Sequence, residues 1–367
     1  MILSVLFYSF VVFTGIQLLY YFIFSSFLFE TKKDKKKDIH VPVSVIICAK
    51  NEAKNLQTFL PSILNQEYTN FEVILINDAS SDETLEVMES FKEQHNNIKI
   101  ISVENIEAFW GNKKYALTLG IKGANNEHLL FTDADCKPVS KHWISEMSKN
   151  FHAEKTIVLG YGKYKKEKLF VNLFVRFETL LTAIQYFSYA KLGSPYMAVG
   201  RNLAYHRSEF FNVKGFINHM HIRSGDDDLF IQDAANKENT TFSISKKSFT
   251  ESIAPTSFTE WFRQKRRHIS TAKHYKTPHK FFLGLFFVSK VLFYLLAISL
   301  FVFYPWKPVL AIFLTYYIVQ FIVIGFSAKK LKEPGIIYLL PFLEIGLLIF
   351  QFSIFITNLS SKPNHWK

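Results

Sequence analysis

Asp78 closes the apolar run Phe71 to Ile76, Asp133 and Asp135 follow Leu129 to Thr132 with one residue between them, and Asp226, Asp227 and Asp228 stand in a row. Two carboxylates one residue apart at a strand end can address one hard cation if the chain turns tightly, and that cation can bridge phosphate oxygens. Near Asp78, Ser80 or Ser81 can cap the helix that follows, which leaves Asp78 spare to accept from a base edge or a ribose hydroxyl. Three consecutive carboxylates repel one another, and the repulsion raises the pKa of at least one. A raised carboxylate is suited to taking a proton from a hydroxyl. Lys113 opens a helical pattern, an unfavourable place for a cation unless an anion lies close by. Gln264 and Arg267 share one face of a basic, aromatic-edged helix and could close over phosphates. Each feature has an ordinary competitor: a solvated acidic turn, helix N-terminal charge, an exposed lysine, a membrane-surface helix.

The elements that must position these groups alternate regularly. Val43 to Cys48 reads as a buried strand feeding the polar loop Lys50, Asn51 and Glu52, with a helix from about Leu56 to Asn65. Phe71 to Ile76 is a second strand, and Ser80 to Glu83 has the spacing of a capping box opening a helix to about His95. Ile98 to Val103 is a third strand, Lys113 to Ile121 a helix and His128 to Thr132 a fourth strand. This rhythm predicts a mostly parallel sheet covered on both faces, with ligands at the carboxyl ends of its strands. After Thr156 to Tyr161, a helix with a wide apolar stripe from Leu169 to Ile184 is either core or a membrane-surface element.

The 367 residues are 49% hydrophobic, and the apolar ones cluster. Ile2 to Phe29 carries no charge, and further apolar blocks run from about Phe281 to Tyr304, Val309 to Ala328 and Ile336 to Thr357, each near the ~20 residues a helix needs to cross a bilayer. The first block is read as an uncleaved anchor, because its basic cluster (Lys32, Lys33, Lys35, Lys36, Lys37) comes after it. The resulting division is an anchor over 1–30, a basic linker over 31–41, a soluble domain over 42–280 that includes an interfacial helix at 258–276, three spans over 281–358 and a tail over 359–367. The lysine cluster and the loop of Lys329, Lys330 and Lys332 place the soluble domain in the cytoplasm, with the N-terminus and the tail outside. Lys290, inside the second block, is expected to snorkel or to mark an interfacial start. The net charge of +12 falls largely beside these spans and suits anionic lipid rather than nucleic acid, for which no module is present. Cys48 and Cys136 fit a reducing compartment and lack a zinc-ligand pattern.

With these residues in place, the chain resembles the family 2 glycosyltransferases of GT-A fold, in the membrane-anchored branch that includes cellulose and hyaluronan synthases and ceramide glucosyltransferases. Val45 to Glu52 is similar to that family's opening nucleotide loop, Asp78 to its nucleoside-contacting aspartate, and Lys113 to Leu117 to its G-K-x-x-A-L helix with Asn112 in place of the glycine. Asp133 and Asp135 match its metal and diphosphate motif, and Gly200 to Tyr205, including Asn202, its acceptor-side loop. Gly225 to Asp227 resembles its G-D-D motif. Gln264 to His268 resembles Q-x-x-R-W, with His268 where the tryptophan that stacks on the acceptor of processive synthases would stand, which weakens the case for processivity.

The resemblance implies an inverting single displacement. Mn²⁺ or Mg²⁺ would be held by Asp135 with support from Asp133, Asp227 would be the base with Asp226 able to substitute, and Lys50, Asn51, Glu52, Asp78, Lys113, Asp133, Gly200, Asn202, Gln264 and Arg267 would bind the donor. The donor would be a nucleotide-diphosphate sugar, with UDP favoured, and the acceptor a membrane lipid or lipid-linked glycan. The alternatives are an inactive scaffold subunit of a polysaccharide assembly and a nucleotidyltransferase, which would display a glycine- and arginine-rich loop that Val45 to Glu52 does not.

Overall fold

The computed structural model describes residues 1–29, 40–104, 113–222 and 224–361. The basic cluster at Lys32 to Lys37, Asn112 and the tail beyond Ser361 lie outside the described residues. Four strands, β1 (Val43–Ala49), β2 (Phe71–Asp78), β3 (Ile98–Val103) and β4 (His128–Asp133), form a continuous parallel run within a seven-stranded sheet. Their runs are dominated by Val, Ile and Leu because both faces are covered, as a parallel sheet requires. Alternation sorts the side chains: Val45, Ile47, Val73 and Leu75 pack on one face, and Ile46, Ile74, Ile76 and Phe131 on the other.

The connecting helices α2 (Ala53–Leu64), α3 (Thr84–Gln94) and α4 (Lys113–Gly123) were legible at nearly these bounds, following the anchor helix α1 (Ile2–Phe24). Sheet order is β3-β2-β1-β4 and then three strands of the second half: β8 (Leu203–His206), β6 (Ile157–Leu159) and β9 (Thr240–Phe242). The chain moves outward from β1 on one side through β2 and β3, then crosses to β4 on the other. The crevice beyond the ends of β1 and β4 is therefore a topological switch point, where open α/β sheets bind ligands. In register, Cys48 lies opposite Asp133 and Ala49 opposite Asn77.

A second, three-stranded sheet joins β5 (Cys136–Pro138), β10 (Thr250–Ser252) and β7 (Gly162–Tyr164) directly after the Asp133–Asp135 turn. The helices that complete the domain are α5 (Trp143–Ser148), α6 (Phe170–Lys191), α7 (Arg207–Asn212), α8 (Asp228–Ala234) and α9 (Phe258–Ile269). The expected interfacial helix over 258–276 stops at Ile269. A short 3₁₀ turn at Ala272–His274 precedes α10, which starts at Thr277 with Pro278 in its first turn, ahead of the expected boundary.

Three long apolar helices follow: α10 (Thr277–Phe303), α11 (Trp306–Lys330) and α12 (Leu340–Ser360). By length and composition, these and α1 with its following turn are four helices able to cross a membrane. Tyr20, Phe10 and Phe7 of α1 meet Phe282 and Phe293 of α10 and Tyr304 just past its end, in antiparallel order. Lys290 does not snorkel toward solvent. Its Nζ lies 2.7 Å from Glu344 Oε1, and both residues are buried.

Candidate active site

The loops after β1 and β2 hold each other. Asn51, in a left-handed conformation (φ 57°), accepts through Oδ1 from the Ser81 amide and donates its own amide to Ser80 Oγ. The Glu52 amide donates to Thr84 Oγ1, while Glu52 Oε2 accepts from Asn55. Asn51 thus shapes the rim, and Lys50 and Asp78 supply its charge. Burial pushes the Asp78 carboxyl above its usual range, offset by the Lys50 and Lys113 cations. Burial also raises Glu52, helped by Asp135 and Asp133 across the crevice.

Lys113 sits at the centre. Its Nζ is 2.8 Å from Asp133 Oδ1 and 3.0 Å from Asp226 Oδ2. Burial alone would lower this ammonium, but the two carboxylates outweigh it and hold Lys113 well above its ordinary value. One cation therefore joins the strand-end acid to the aspartate run, two groups that are 93 residues apart in the chain (226 − 133).

Within that run the three carboxylates have separate environments. Gly225 adopts φ 91°, a conformation that glycine reaches without strain, and turns the chain into Asp226. Burial works against the charge on Asp226, and Lys113 overcomes it, keeping the carboxyl below its usual value. Asp227 caps α8: Oδ1 accepts from the Asp228 amide, and Oδ2 accepts from the Gly200 amide at 2.8 Å. Burial, and then repulsion from Asp226 and Asp228, push the Asp227 carboxyl up to about 7. Asp228 faces away, accepting from Thr271 Oγ1 and Tyr275 Oη. The environments of neighbouring acids thus push their protonation in opposite directions.

Asp133, Asp135 and Cys136 place one potential ligand atom each within 4.8 Å of one another. Burial and the two aspartates push the Cys136 thiol well up, so it stays protonated and donates to Asp135 Oδ1 at 3.2 Å. That leaves an oxygen pair, the donor set of a hard divalent cation that completes its shell with water and phosphate oxygens. Burial and repulsion from Asp133 raise Asp135, as expected of acids gathered around a site for positive charge.

Two expected donor-binding residues have other work. Asn202 is fully buried; its Nδ2 donates to the Tyr161 and Ser248 carbonyls and its Oδ1 accepts from Trp143 Nε1. The side chain is committed to the protein interior and is not exposed to the crevice. Gly200 touches the site through its amide, holding Asp227. On α9, Gln264 Oε1 is buried with no hydrogen-bond partner among the described residues, and Arg267 is lowered by burial against the attraction of Asp226 and Asp133. Lys265, between them, pairs with Glu178 of α6 at 2.6 Å.

Sequence reasoning missed Lys114. Its buried Nζ donates to the His219 and Ile222 carbonyls and meets His219 Nδ1, pinning the segment between α7 and α8 beside the site. Sitting next to Lys113 on an exposed-looking helix start, it gave no signal of burial.

Residues 44–227 match the model of glycosyl transferase family 2. The chain belongs to this family. Among curated relatives, it is 38% identical over 93 residues to poly-beta-1,6-N-acetyl-D-glucosamine synthase of Staphylococcus epidermidis, covering 25% of this chain and 21% of that protein. The enzyme of the same name from Staphylococcus aureus is 30% identical over 139 residues, covering 35% and 32%. The aligned part is thus a third or less of either relative. Among solved structures, a mannosyltransferase from Pyrobaculum calidifontis in complex with GDP-Man and Mn²⁺ superposes with a TM-score of 0.58 at 16% identity, covering 92% of this chain and 97% of that one. The fold is that of a GT-A glycosyltransferase carrying apolar helices long enough to span a membrane.

Proposed function

We propose that this glycosyltransferase moves a sugar, with inversion, from a nucleotide-diphosphate sugar to a membrane-associated lipid or lipid-linked glycan. The observation that carries the reading is Lys113, which holds one positive charge between the strand-end acid Asp133 and the Asp226–Asp227 pair. Donor and acceptor chemistry then meet at one point of the switch-point crevice. Asp78 and Lys50 face the nucleoside side of that crevice. Asp227, held by the Gly200 amide and raised by its neighbours, takes the proton from the attacking hydroxyl, while the negative charge of Asp226 keeps that proton on Asp227. Arg267 and Gln264 on α9 close over the phosphates. Asp135 and Asp133 would hold Mn²⁺ or Mg²⁺, which when bound supplies charge neutralisation for a diphosphate leaving group.

A UDP-sugar is the first donor to try, and the names of the staphylococcal relatives make N-acetylglucosamine the first sugar. A lipid acceptor is supported by a cavity of about 310 Å³ between α6, α9, α10 and α12, where Leu283, Phe286 and Leu348 face Thr182, Gln185 and Gln351. The test is nucleotide diphosphate release by the purified chain in detergent across UDP- and GDP-sugars with lipid acceptors, with Asp227→Asn in parallel. Selective release abolished in the variant supports the reading; equal, donor-independent rates in both proteins would overturn it.

A further inference from the structure

We propose that α12 does not cross the membrane but lies along it, in the leaflet on the catalytic domain's side, as a lipid-contacting surface of that domain. Its 21 residues make a rod of about 30 Å, enough to reach the opposite head groups if it ran across. Both ends instead meet the catalytic domain. Near the start, Phe342 packs on Phe170 and Phe174 of α6. Midway, Phe350 stacks on Trp261 of α9 with ring centroids 3.8 Å apart. At the end, Asn358 Oδ1 and the Ser361 carbonyl and hydroxyl accept from the Arg266 guanidinium. α12 therefore runs beside α9, from Phe258 and Trp261 at one end to Arg266 at the other.

Neither partner element belongs in hydrocarbon. α9 carries Glu260, Arg263, Lys265, Arg266 and Arg267 in 12 residues, and Lys165, Lys166 and Lys168 precede α6. A helix bound to both along its length shares their level at the head groups. The sides of α12 agree. Glu344, Gln351 and Asn358, seven residues apart, make a stripe turned toward the protein, where Glu344 meets Lys290 and Asn358 meets Arg266. Ile345, Ile349, Phe352, Ile356 and Leu359 are exposed on the other side with no charge among them, the face an in-plane helix presents to acyl chains. α10 and α11 remain a hairpin beside α1, so the described helices cross three times, and Ser361 lies on the side of the catalytic domain rather than opposite it.

The experiment uses the full chain in native membranes with single introduced cysteines and a membrane-impermeant maleimide, applied before and after permeabilisation. Lys307→Cys, exposed at the start of α11, and Lys329→Cys, exposed at the end of α11, mark the two sides; Ser360→Cys reports α12. The expected result is that Ser360→Cys labels with Lys329→Cys. Labelling with Lys307→Cys would show that α12 spans and overturn the proposal. A protease-cleavable epitope after Lys367, cut from the side on which Lys329→Cys labels, reads the answer independently of the reactivity of Ser360→Cys. This outcome does not depend on donor or acceptor.

Discussion

Asp226 and Asp227 show how little sequence distance is needed to give two carboxylates opposite roles. Lys113 holds the Asp226 carboxyl below its usual value, whereas Asp227 lies between two acids and is pushed up to about 7. Replacing Asp227 with Asn is expected to lower kcat by about 10²- to 10⁴-fold, the usual contribution of a positioned base. In the parent, kcat/KM should fall as pH drops through about 7, because the proton-accepting form is lost. Stability runs the other way. A carboxyl raised from an ordinary value near 4 supports the fold fully below that value, and the support disappears as pH rises through about 7. Asp227→Asn should therefore gain in Tm relative to the parent between pH 5 and pH 8, measured by thermal unfolding in detergent. A variant losing both activity and Tm at pH 8 would reduce Asp227 to a helix cap. Lys113→Met should leave Asp133 and Asp226 facing a diphosphate without their shared cation, raising the donor KM at least tenfold in steady-state assays with fixed acceptor. The acids and Lys113 were legible because each stands at a strand end or helix start in an apolar context. Asn202 and Lys114 were not, because their partners come from segments far away in the chain: Tyr161, Ser248 and Trp143 for the first, His219 and Ile222 for the second.

The helix that begins at the Asp226–Asp228 run is fastened to the start of the first C-terminal apolar helix. Asp228 accepts from Thr271 and Tyr275, and Gln232 Oε1 accepts from the Lys276 amide while contacting His279 Nδ1 at 3.0 Å. Any displacement of α10 at its first turn is therefore felt one residue from Asp227. Tyr275→Phe removes one of two hydroxyl donors to a buried carboxylate, an interaction worth about 1–3 kcal/mol. It is expected to lower kcat several-fold while leaving the donor KM within twofold, since the acids proposed to bind the donor lie on other elements. A KM change of the same size as the kcat change would mean that the tie supports the whole crevice. At this scale the first half of the domain was readable: strands β1 to β4 have six to eight residues and long helices between them. Strands β6, β7, β9 and β10 have three residues each, too few to display a period of two, and their existence depends on pairing partners supplied by the fold.

In the whole molecule, the membrane helices are joined by polar groups that hydropathy alone treats as blemishes. Lys290 and Glu344 pair at 2.7 Å, and Tyr21, Tyr294 and Tyr316 donate to the same carboxylate. Each hydroxyl comes from a different helix, so one acid ties α12 to α1, α10 and α11. The apolar blocks were legible from length, but the pairing was not, since Lys290 and Glu344 each look like an isolated fault in an apolar run. Removing one partner from a buried pair leaves an uncompensated charge and costs about 3–5 kcal/mol, while exchanging both for apolar groups of similar volume is often neutral. Lys290→Met and Glu344→Leu should each lower Tm sharply in detergent, Glu344→Leu more because it also orphans three hydroxyls. The double variant should recover the part of the Glu344→Leu loss that comes from the unpaired Lys290 and keep the part that comes from the three hydroxyls, so it recovers less of the Lys290→Met loss. If the double variant is as unstable as Glu344→Leu alone, the hydroxyl network rather than the ion pair holds α12 in place. That would make Glu344 the element that keeps this helix, and with it Arg266 and α9, at the mouth of the catalytic crevice.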